Sequence, residues 1–212
     1  MSPTFAELGV PDDLIACLAG QGIDAPFAIQ TMTIADSMAG RDVCGKAQTG
    51  SGKTLAFSLP AIAHTSRNEG GLPTTLILTP TRELANQISG VVEPLAKARG
   101  IRPIAVYGGT NIDKQIETIA AGIEIIIATP GRLIDLIDRG AMNVARIERV
   151  IIDEADRMAD MGFLPQVEWV LRHIEVDHQT LLFSATLDGA VDVVVKRHLT
   201  DPVFHEVEEH EV

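Results

Sequence analysis

The segment Ala47-Gln48-Thr49-Gly50-Ser51-Gly52-Lys53-Thr54 constrains the fold of this chain more than any other segment. It follows the short apolar run Val43-Cys44 and leads into a helix-like run over residues 55–59. A strand, a glycine-rich loop and a helix in that order form a phosphate cradle, because the backbone N–H groups and the positive end of the helix dipole face the anion. The Lys53 ammonium can then reach terminal phosphates, and the Thr54 hydroxyl can bind Mg²⁺.

One position of this loop departs from the strict pattern G-x-x-x-x-G-K-[ST], because Ala47 stands where the pattern has glycine. The alternative to a phosphate site is a glycine-rich turn that only caps a helix. Gly-Lys-Thr at a strand-to-helix junction has a phosphate-binding mechanism behind it, so we favour the phosphate site.

Short apolar runs alternate with helical patterns after the loop. Two helices, over residues 11–19 and 27–38, precede it; the later runs cover residues 75–79, 104–107, 123–128, 150–153 and 180–183, and the later helical patterns cover residues 82–98, 112–121, 133–138, 162–173 and 189–198. Runs that are apolar at every position are typical of strands buried on both faces. The alternation predicts an α/β fold with a mostly parallel sheet and helices on both faces. Nothing resembles a linker, so we expect residues 1–212 to form a single domain, with a frayed acidic tail or the start of an interdomain linker from about residue 200.

The charge balance limits how the chain can bind nucleic acid. It has 17 basic and 29 acidic residues, a net charge of −12, which argues against binding through bulk electrostatics. A polyanion would be held locally by backbone amides and a few arginines, or by a partner domain. Without a signal peptide or an apolar run of the roughly 20 residues that span a bilayer, we expect a cytoplasmic protein with no membrane contact. Cys17 and Cys44 lie in separate apolar segments and are expected to be buried free thiols, and the six histidines lack the spacing of a metal site.

Two carboxylates end one of the predicted strands, and the carboxyl ends of parallel strands share one edge of the sheet. Asp153 can hold Mg²⁺ there, and Glu154 can deprotonate the water that attacks a γ-phosphate. The alternative is that Asp153 to Asp156 only provide acidic residues for the first turn of a helix. Because Lys53 and Thr54 lie upstream, we favour the functional interpretation.

Other polar side chains have less specific signals. Ser184 and Thr186 can hydrogen-bond the carboxylates of the neighbouring strand, although the spacing alone favours Thr186 or Asp188 as the N-cap of the next helix. The Gln30 amide can pair with N6 and N7 of adenine, and Phe5 can stack on the base. From the residues alone, a helix-surface amide and a core aromatic are the favoured alternatives.

A further set of residues at the ends of the predicted strands supplies hydroxyls, backbone amides and two guanidinium groups. These are phosphate-binding groups, which suit a sugar-phosphate backbone without base readout, although each alone is more often a turn residue or part of a surface salt bridge. The set comprises Thr81, Arg82, Gly108, Gly109, Thr129, Gly131 and Arg132.

Six ordered motifs resemble those of the first RecA-like domain of a DEAD-box RNA helicase, a P-loop NTPase fold. The signature Asp153-Glu154-Ala155-Asp156 is complete, and the family accepts alanine at the first position of the phosphate loop. The other motifs are Pro80-Thr81-Arg82-Glu83-Leu84-Ala85, Gly108-Gly109, Thr129-Pro130-Gly131-Arg132 and Ser184-Ala185-Thr186. Residues 22–30 resemble the family's adenine-reading motif, and Phe5 stands where the family has an isolated aromatic. The departures are Ile23 in place of an aromatic, and Phe27-Ala28 in place of Thr-Pro.

The resemblance implies a role for each motif. Within an adenine-recognition segment over residues 1–31, Phe5 and Gln30 would select adenine, and residues 47–54 would bind the phosphates of ATP. Thr54 and Asp153 would hold Mg²⁺, with Lys53, Asp153 and Glu154 as the catalytic residues. Asp156, Ser184 and Thr186 would couple hydrolysis to strand separation. The residues that would contact RNA are Pro80, Thr81, Arg82, Gly108, Gly109, Thr129, Pro130, Gly131 and Arg132.

The resemblance also implies a second RecA-like domain, because only a helix and a tail follow Thr186 in this chain. That domain would supply arginine fingers and half of the RNA site, so we expect this chain alone to bind ATP or ADP, to contact RNA weakly and to turn ATP over slowly. Joined to the second domain, it would unwind RNA duplexes locally. The alternatives are a nucleotide-sensing binding module without turnover and a P-loop ATPase that acts on DNA or protein.

Overall fold

The structure is a computed structural model that describes residues 2–68 and 70–207. The helices of these residues are α1 Asp12–Ala19, α2 Ala28–Met38, α3 Lys53–His64, α4 Arg82–Ala98, α5 Ile112–Ala120, α6 Pro130–Asp138, α7 Ala155–Asp160, α8 Leu164–Leu171 and α9 Gly189–His198. The strands are β1 Val43–Lys46, β2 Thr75–Leu78, β3 Pro103–Val106, β4 Ile125–Ala128, β5 Arg149–Asp153, β6 Gln179–Ser184 and β7 Val203–Glu206.

The seven strands form one sheet in the order β3-β4-β2-β5-β6-β1-β7, and every neighbouring pair is parallel. The prediction of an α/β fold with a parallel sheet is therefore confirmed. Strand β6 lies between β1 and β5, so the loops that follow β1 and β5 leave the same edge of the sheet on either side of β6.

Both faces of the sheet are buried, because successive side chains of a strand point to opposite faces. Leu76 and Val150 pack into a hydrophobic cluster with helices α5 to α9, whereas their neighbours Ile77 and Ile151 pack into a second cluster with helices α1 to α4. This double burial explains why the strands are apolar at consecutive positions in the sequence. Helices cover both faces, as predicted.

The region predicted as one helix over residues 162–173 differs in the structure. Helix α7 comes first, α8 covers only Leu164–Leu171, and Gly162 in the connection has a φ of +75°. Such a positive φ favours glycine and is common where a helix ends. Helix α8 therefore begins two residues after the predicted start at residue 162, and the separate short helix α7, which was not predicted, precedes it.

The expectation of a frayed tail from about residue 200 is wrong for Val203–Glu206, which forms β7 and pairs with β1. Its polar side chains have specific partners: His205 Nε2 lies 2.8 Å from Asp36 Oδ2, and Lys46 Nζ lies 2.6 Å from Glu206 Oε1. The acidic composition of this segment therefore did not indicate a strand, whose side chains contact Lys46 of β1 and Asp36 of α2. Residues 208–212, the rest of the predicted tail, lie outside the described residues.

Three further expectations concern cysteines, membranes and metals. Cys17 and Cys44 are both free thiols, as predicted, but only Cys44 is buried; the expected burial of Cys17 is wrong, because its helix leaves the side chain partly exposed. Burial raises the pKa of the Cys44 thiol to about 12. Among the helices that the structure describes, none has the length and apolar character needed to cross a bilayer. The same residues contain no cluster of three or more His, Cys, Asp and Glu side chains suited to a metal ion.

Candidate functional site

The loop after β1 is shaped by two left-handed glycines. Gly50 and Gly52 have φ values of +85° and +91°, a conformation in which a side chain would be strained. Gly52 is the N-cap of α3, which begins at Lys53, so the first backbone N–H groups of the helix lack intrahelical partners and suit an anion. The Ala47 N–H donates to the Ser184 carbonyl over 3.0 Å, which anchors the start of the loop to β6.

Two of the predicted catalytic residues meet in a buried ion pair beside this loop. Lys53 Nζ donates to Glu154 Oε1 over 2.8 Å, and the two side chains are only 5% and 9% exposed. The same ammonium donates to the Ala47 carbonyl over 3.2 Å, and Thr49 Oγ1 lies 3.5 Å from Glu154 Oε1. The phosphate loop and the carboxylates after β5 therefore belong to one site.

Asp153, the last residue of β5, is buried next to this pair. Burial raises the pKa of its carboxyl to about 7; the Lys53 charge opposes the shift and the Glu154 charge adds to it. The Oδ1 atom of Asp153 is buried without a hydrogen-bond partner. A buried carboxylate oxygen without a partner fits a hard cation such as Mg²⁺, which needs only one or two protein oxygens when phosphates complete its shell.

A cavity of about 320 Å³ joins these groups. It is lined by Phe27, Thr49, Gly50, Gly52, Lys53, Thr54, Leu84, Gln87, Ile88, Asp153 and Glu154. The α4 residues of this set were not predicted, although their spacing of three and four positions places them on one face of that helix. Ala47, Gln48 and Ser51 belong to the same loop without lining the cavity.

The two residues predicted to read adenine lie in different environments. Gln30 is only 2% exposed: its Oε1 accepts from the Phe27 N–H over 2.9 Å, and its Nε2 donates to the Gly52 carbonyl over 3.0 Å. The side chain therefore ties the start of α2 to the phosphate loop and is not a helix-surface amide. Phe5 is 3% exposed and packs in the hydrophobic core, the position that the residues alone favoured.

The residues expected to couple hydrolysis to movement make one contact between β6 and α7. Ser184 Oγ accepts from the Asp156 backbone N–H over 3.0 Å, so its contact with the segment after β5 is to the backbone and not to a carboxylate. Asp156 Oδ1 is buried without a partner. Asp188, and not Thr186, is the N-cap residue of α9, and it makes no side-chain capping bond; Thr186 is exposed.

A second cleft, of about 500 Å³, gathers seven of the nine residues predicted to contact RNA. Its lining consists of Pro80, Arg82, Tyr107, Gly108, Thr129, Pro130, Gly131, Arg132, Asp135, Phe163 and Gln166. The two other predicted residues lie beside it. Thr81 Oγ1 caps α4 by accepting from the Leu84 N–H over 3.3 Å, and Gly109 has a φ of +79°.

Neither arginine of this cleft forms a salt bridge with a carboxylate of residues 2–68 or 70–207. The Arg82 guanidinium carbon lies 5.1 Å from the centre of the Tyr107 ring. Arg132 Nη1 donates to Gln115 Oε1 over 3.0 Å and to the Thr110 carbonyl over 3.3 Å. Neutral groups thus position both guanidinium groups, and their positive charges stay available to bind an anion such as phosphate.

Sequence reasoning missed four residues of the second cleft: Tyr107, Asp135, Phe163 and Gln166. Tyr107 directly precedes the predicted pair Gly108-Gly109, and that adjacency was a usable signal. Phe163 and Gln166 come from the α7–α8 region, whose placement depends on packing and left no local pattern.

Comparison with known proteins gives consistent matches. A family model described as DEAD/DEAH box helicase matches residues 27–194. The ATP-dependent RNA helicase DBP2 of Scheffersomyces stipitis is 43% identical over 204 residues, which cover 94% of this chain and 38% of that protein. The probable ATP-dependent RNA helicase DDX46 of Homo sapiens is 42% identical over 207 residues, which cover 94% of this chain and 20% of that protein. The chain thus spans well under half the length of either relative.

Two solved structures show the same fold. A DEAD box protein from the hyperthermophile Methanococcus jannaschii matches with a TM-score of 0.91 and 34% identity, over 97% of this chain and 56% of that one. The yeast DEAD-box splicing factor Prp28 matches with a TM-score of 0.88 and 31% identity, over 94% of this chain and 49% of that one. The predicted RecA-like fold is confirmed by these likenesses.

Proposed function

This chain belongs to the DEAD/DEAH box helicase family, and from that membership we propose that it is the ATP-binding domain of an ATP-dependent RNA helicase, which couples ATP hydrolysis to local unwinding of RNA duplexes. The observation that carries the proposal is the buried contact between Lys53 and Glu154. It joins two motifs about one hundred positions apart at a cavity that also contains Thr54 and Asp153.

ATP is the proposed ligand of that cavity. The loop of residues 47–54 would bind its phosphates through backbone N–H groups and the Lys53 ammonium. Gln30 and Phe5 are proposed to select adenine. To do so, Gln30 would exchange its bonds to the Phe27 N–H and the Gly52 carbonyl for the edge of the base, and Phe5 would have to move out of the core.

Hydrolysis needs a base and a cation site. Thr54 and Asp153 would hold Mg²⁺, which supplies charge neutralisation on the phosphates when it is bound. Lys53 would turn from Glu154 to the phosphates, and Glu154 would then accept a proton from the attacking water. Ser184 would transmit movement at this site through its bond to the Asp156 backbone, and Thr186 is proposed to take part from the surface.

Slow turnover by this chain alone is part of the proposal. No arginine of the described residues lines the nucleotide cavity, and an arginine at the transition state is worth roughly 10³ to 10⁵ in rate. We propose that a second RecA-like domain supplies that arginine and the rest of the RNA site. The same observation supports a second candidate function, a nucleotide-sensing module that does not turn over.

Titration calorimetry with ADP, and in parallel with GDP, tests the nucleotide site. The proposal predicts adenine-selective binding that weakens in Lys53→Ala and in Gln30→Ala. Matched controls are Lys114→Ala and Gln21→Ala, since both side chains are exposed. Equal affinity for ADP and GDP would contradict the adenine assignment, and unchanged binding by Lys53→Ala would contradict the assignment of the phosphate loop.

A further inference from the structure

Phe27 is the most exposed large hydrophobic side chain among the described residues, at 62%. It is the N-cap residue of α2, where its side chain makes no capping hydrogen bond. An exposed aromatic side chain at the wall of a cavity is typical of a ligand contact.

The Phe27 ring is held over the phosphate loop. A Cβ atom added to Gly52 would lie 2.7 Å from Phe27 Cδ2, so the ring packs directly against that glycine. The Phe27 N–H donates to Gln30 Oε1, and Gln30 Nε2 donates to the Gly52 carbonyl. One amide therefore joins the residue that carries the ring to the loop beneath it.

The cavity has two chemically different parts. Charged and hydroxyl groups from Lys53, Thr54 and Asp153 suit phosphates and their cation, whereas Phe27 is the aromatic side chain in the lining. Phe5, the aromatic expected at a base, is buried in the core. A ligand that carries phosphates and a flat ring would match both parts of the cavity.

We propose that Phe27 supplies the aromatic face against which the base of the bound nucleotide packs. The inference rests on the proposed binding of nucleotide at the phosphate loop and adds a determinant of affinity to it. The ring would make this chain bind a nucleoside diphosphate more tightly than an inorganic polyphosphate, because only the former has a base to pack.

The substitution Phe27→Thr separates binding from folding. Threonine is a good N-cap and phenylalanine is not, so the variant should unfold at a temperature no lower than the unchanged chain. Calorimetry should show about tenfold weaker binding of ADP, within the range for loss of one aromatic stacking partner. Inorganic tripolyphosphate should bind within about twofold of the unchanged chain, and Phe27→Tyr, which keeps the ring, should retain the affinity for ADP.

The outcomes distinguish this inference from the function on which it rests. Unchanged ADP binding by Phe27→Thr, with binding lost in Lys53→Ala, would overturn the role of Phe27 and leave the nucleotide site standing. An equal loss for ADP and tripolyphosphate would also overturn it, since the ring would then act by shaping the phosphate loop. No ADP binding by the unchanged chain would overturn both.

Discussion

Lys53 Nζ lies 2.8 Å from Glu154 Oε1, and this pair joins the loop after β1 to the end of β5 across the intervening strand β6. Both side chains are almost fully buried, so each charge depends on the other for compensation. On the proposed function, a phosphate that draws Lys53 away from Glu154 would free that carboxylate, so nucleotide binding and release of the proposed base would be linked.

Loss of Lys53 should destabilise the nucleotide-free protein. Lys53→Ala leaves the Glu154 carboxylate buried without its partner, and we expect a loss of about 3 kcal/mol in the free energy of unfolding. Urea denaturation measures it. The exposed pair of Lys196 with Asp192 provides a control, because Lys196→Ala should cost less than about 0.5 kcal/mol. A Lys53→Ala variant as stable as the unchanged chain would show that the pair is not formed in solution.

Asp153 should make stability fall as the pH rises. Burial raises the pKa of its carboxyl to about 7, whereas an unfolded chain has an aspartate pKa of about 3.9. Between those values the folded state holds more protons, so rising pH lowers the free energy of unfolding in that window. Asp153→Asn should remove this pH-dependent loss. Relative to the unchanged chain, the free energy of unfolding of the variant should therefore rise by on the order of 3 kcal/mol between pH 4 and pH 8.

Denaturation in urea across pH 4 to 8, without nucleotide or metal, measures the effect of Asp153→Asn. The exposed Asp24 offers a matched control, since Asp24→Asn should not change the pH dependence. A variant that follows the pH curve of the unchanged chain would refute the assignment of the raised pKa to Asp153.

Glu124 should have the opposite pH dependence. Burial alone would raise its pKa, but hydrogen bonds from the Arg102 side chain and backbone, and from the Asn68 N–H, outweigh burial and hold the pKa below its usual value. The stability from this carboxylate is present above its unfolded pKa of about 4.3 and is lost as the pH falls through the lower folded value.

Glu124→Gln is therefore expected to cost about 2 kcal/mol at pH 7, the contribution of hydrogen bonds to a charged group. The difference from the unchanged chain should narrow on acidification below pH 4. Thermal unfolding at several pH values measures it. A difference that is constant with pH would indicate that the lost contribution is packing and not charge.

Arg132 should contribute to RNA binding through charge alone. Arg132→Ala removes one cation from the second cleft, so binding of single-stranded RNA should weaken, and the slope of log affinity against log salt should decrease by about one. Fluorescence anisotropy at several salt concentrations measures both. Arg67→Ala removes an exposed arginine outside the cleft and should leave the slope unchanged. Equal effects of the two variants would argue for nonspecific attraction.

The sequence predicted those elements whose determinants lie within the segment itself. The bounds of α4 at Arg82 and Ala98 match the prediction because its turn residues and helical spacing lie within the segment itself. The strands were readable because burial on both faces leaves a continuous apolar run. The placement of Lys53 and Glu154 at the same edge of the sheet followed from one rule, that the carboxyl ends of parallel strands share an edge, whereas their direct ion pair was not predicted.

The sequence did not predict features that depend on contacts between residues far apart in the chain. β7 is a strand because it pairs with β1 and because Glu206 meets Lys46, neither of which shows in an acidic segment. The two bonds of Gln30 depend on how α2 packs against the phosphate loop, and the exposure of Phe27 follows from the same packing. The cytoplasmic location and the single domain over residues 1–212 stay predictions.

The most direct test of the helicase proposal is phosphate release from ATP by the natural protein that contains these residues, measured with single-stranded RNA, with DNA of the same sequence and without nucleic acid. We predict turnover that RNA stimulates and DNA does not, and its loss in Glu154→Gln while ADP binding persists. Equal stimulation by DNA would contradict the assignment of RNA as the substrate. Full turnover by Glu154→Gln would contradict the site as described.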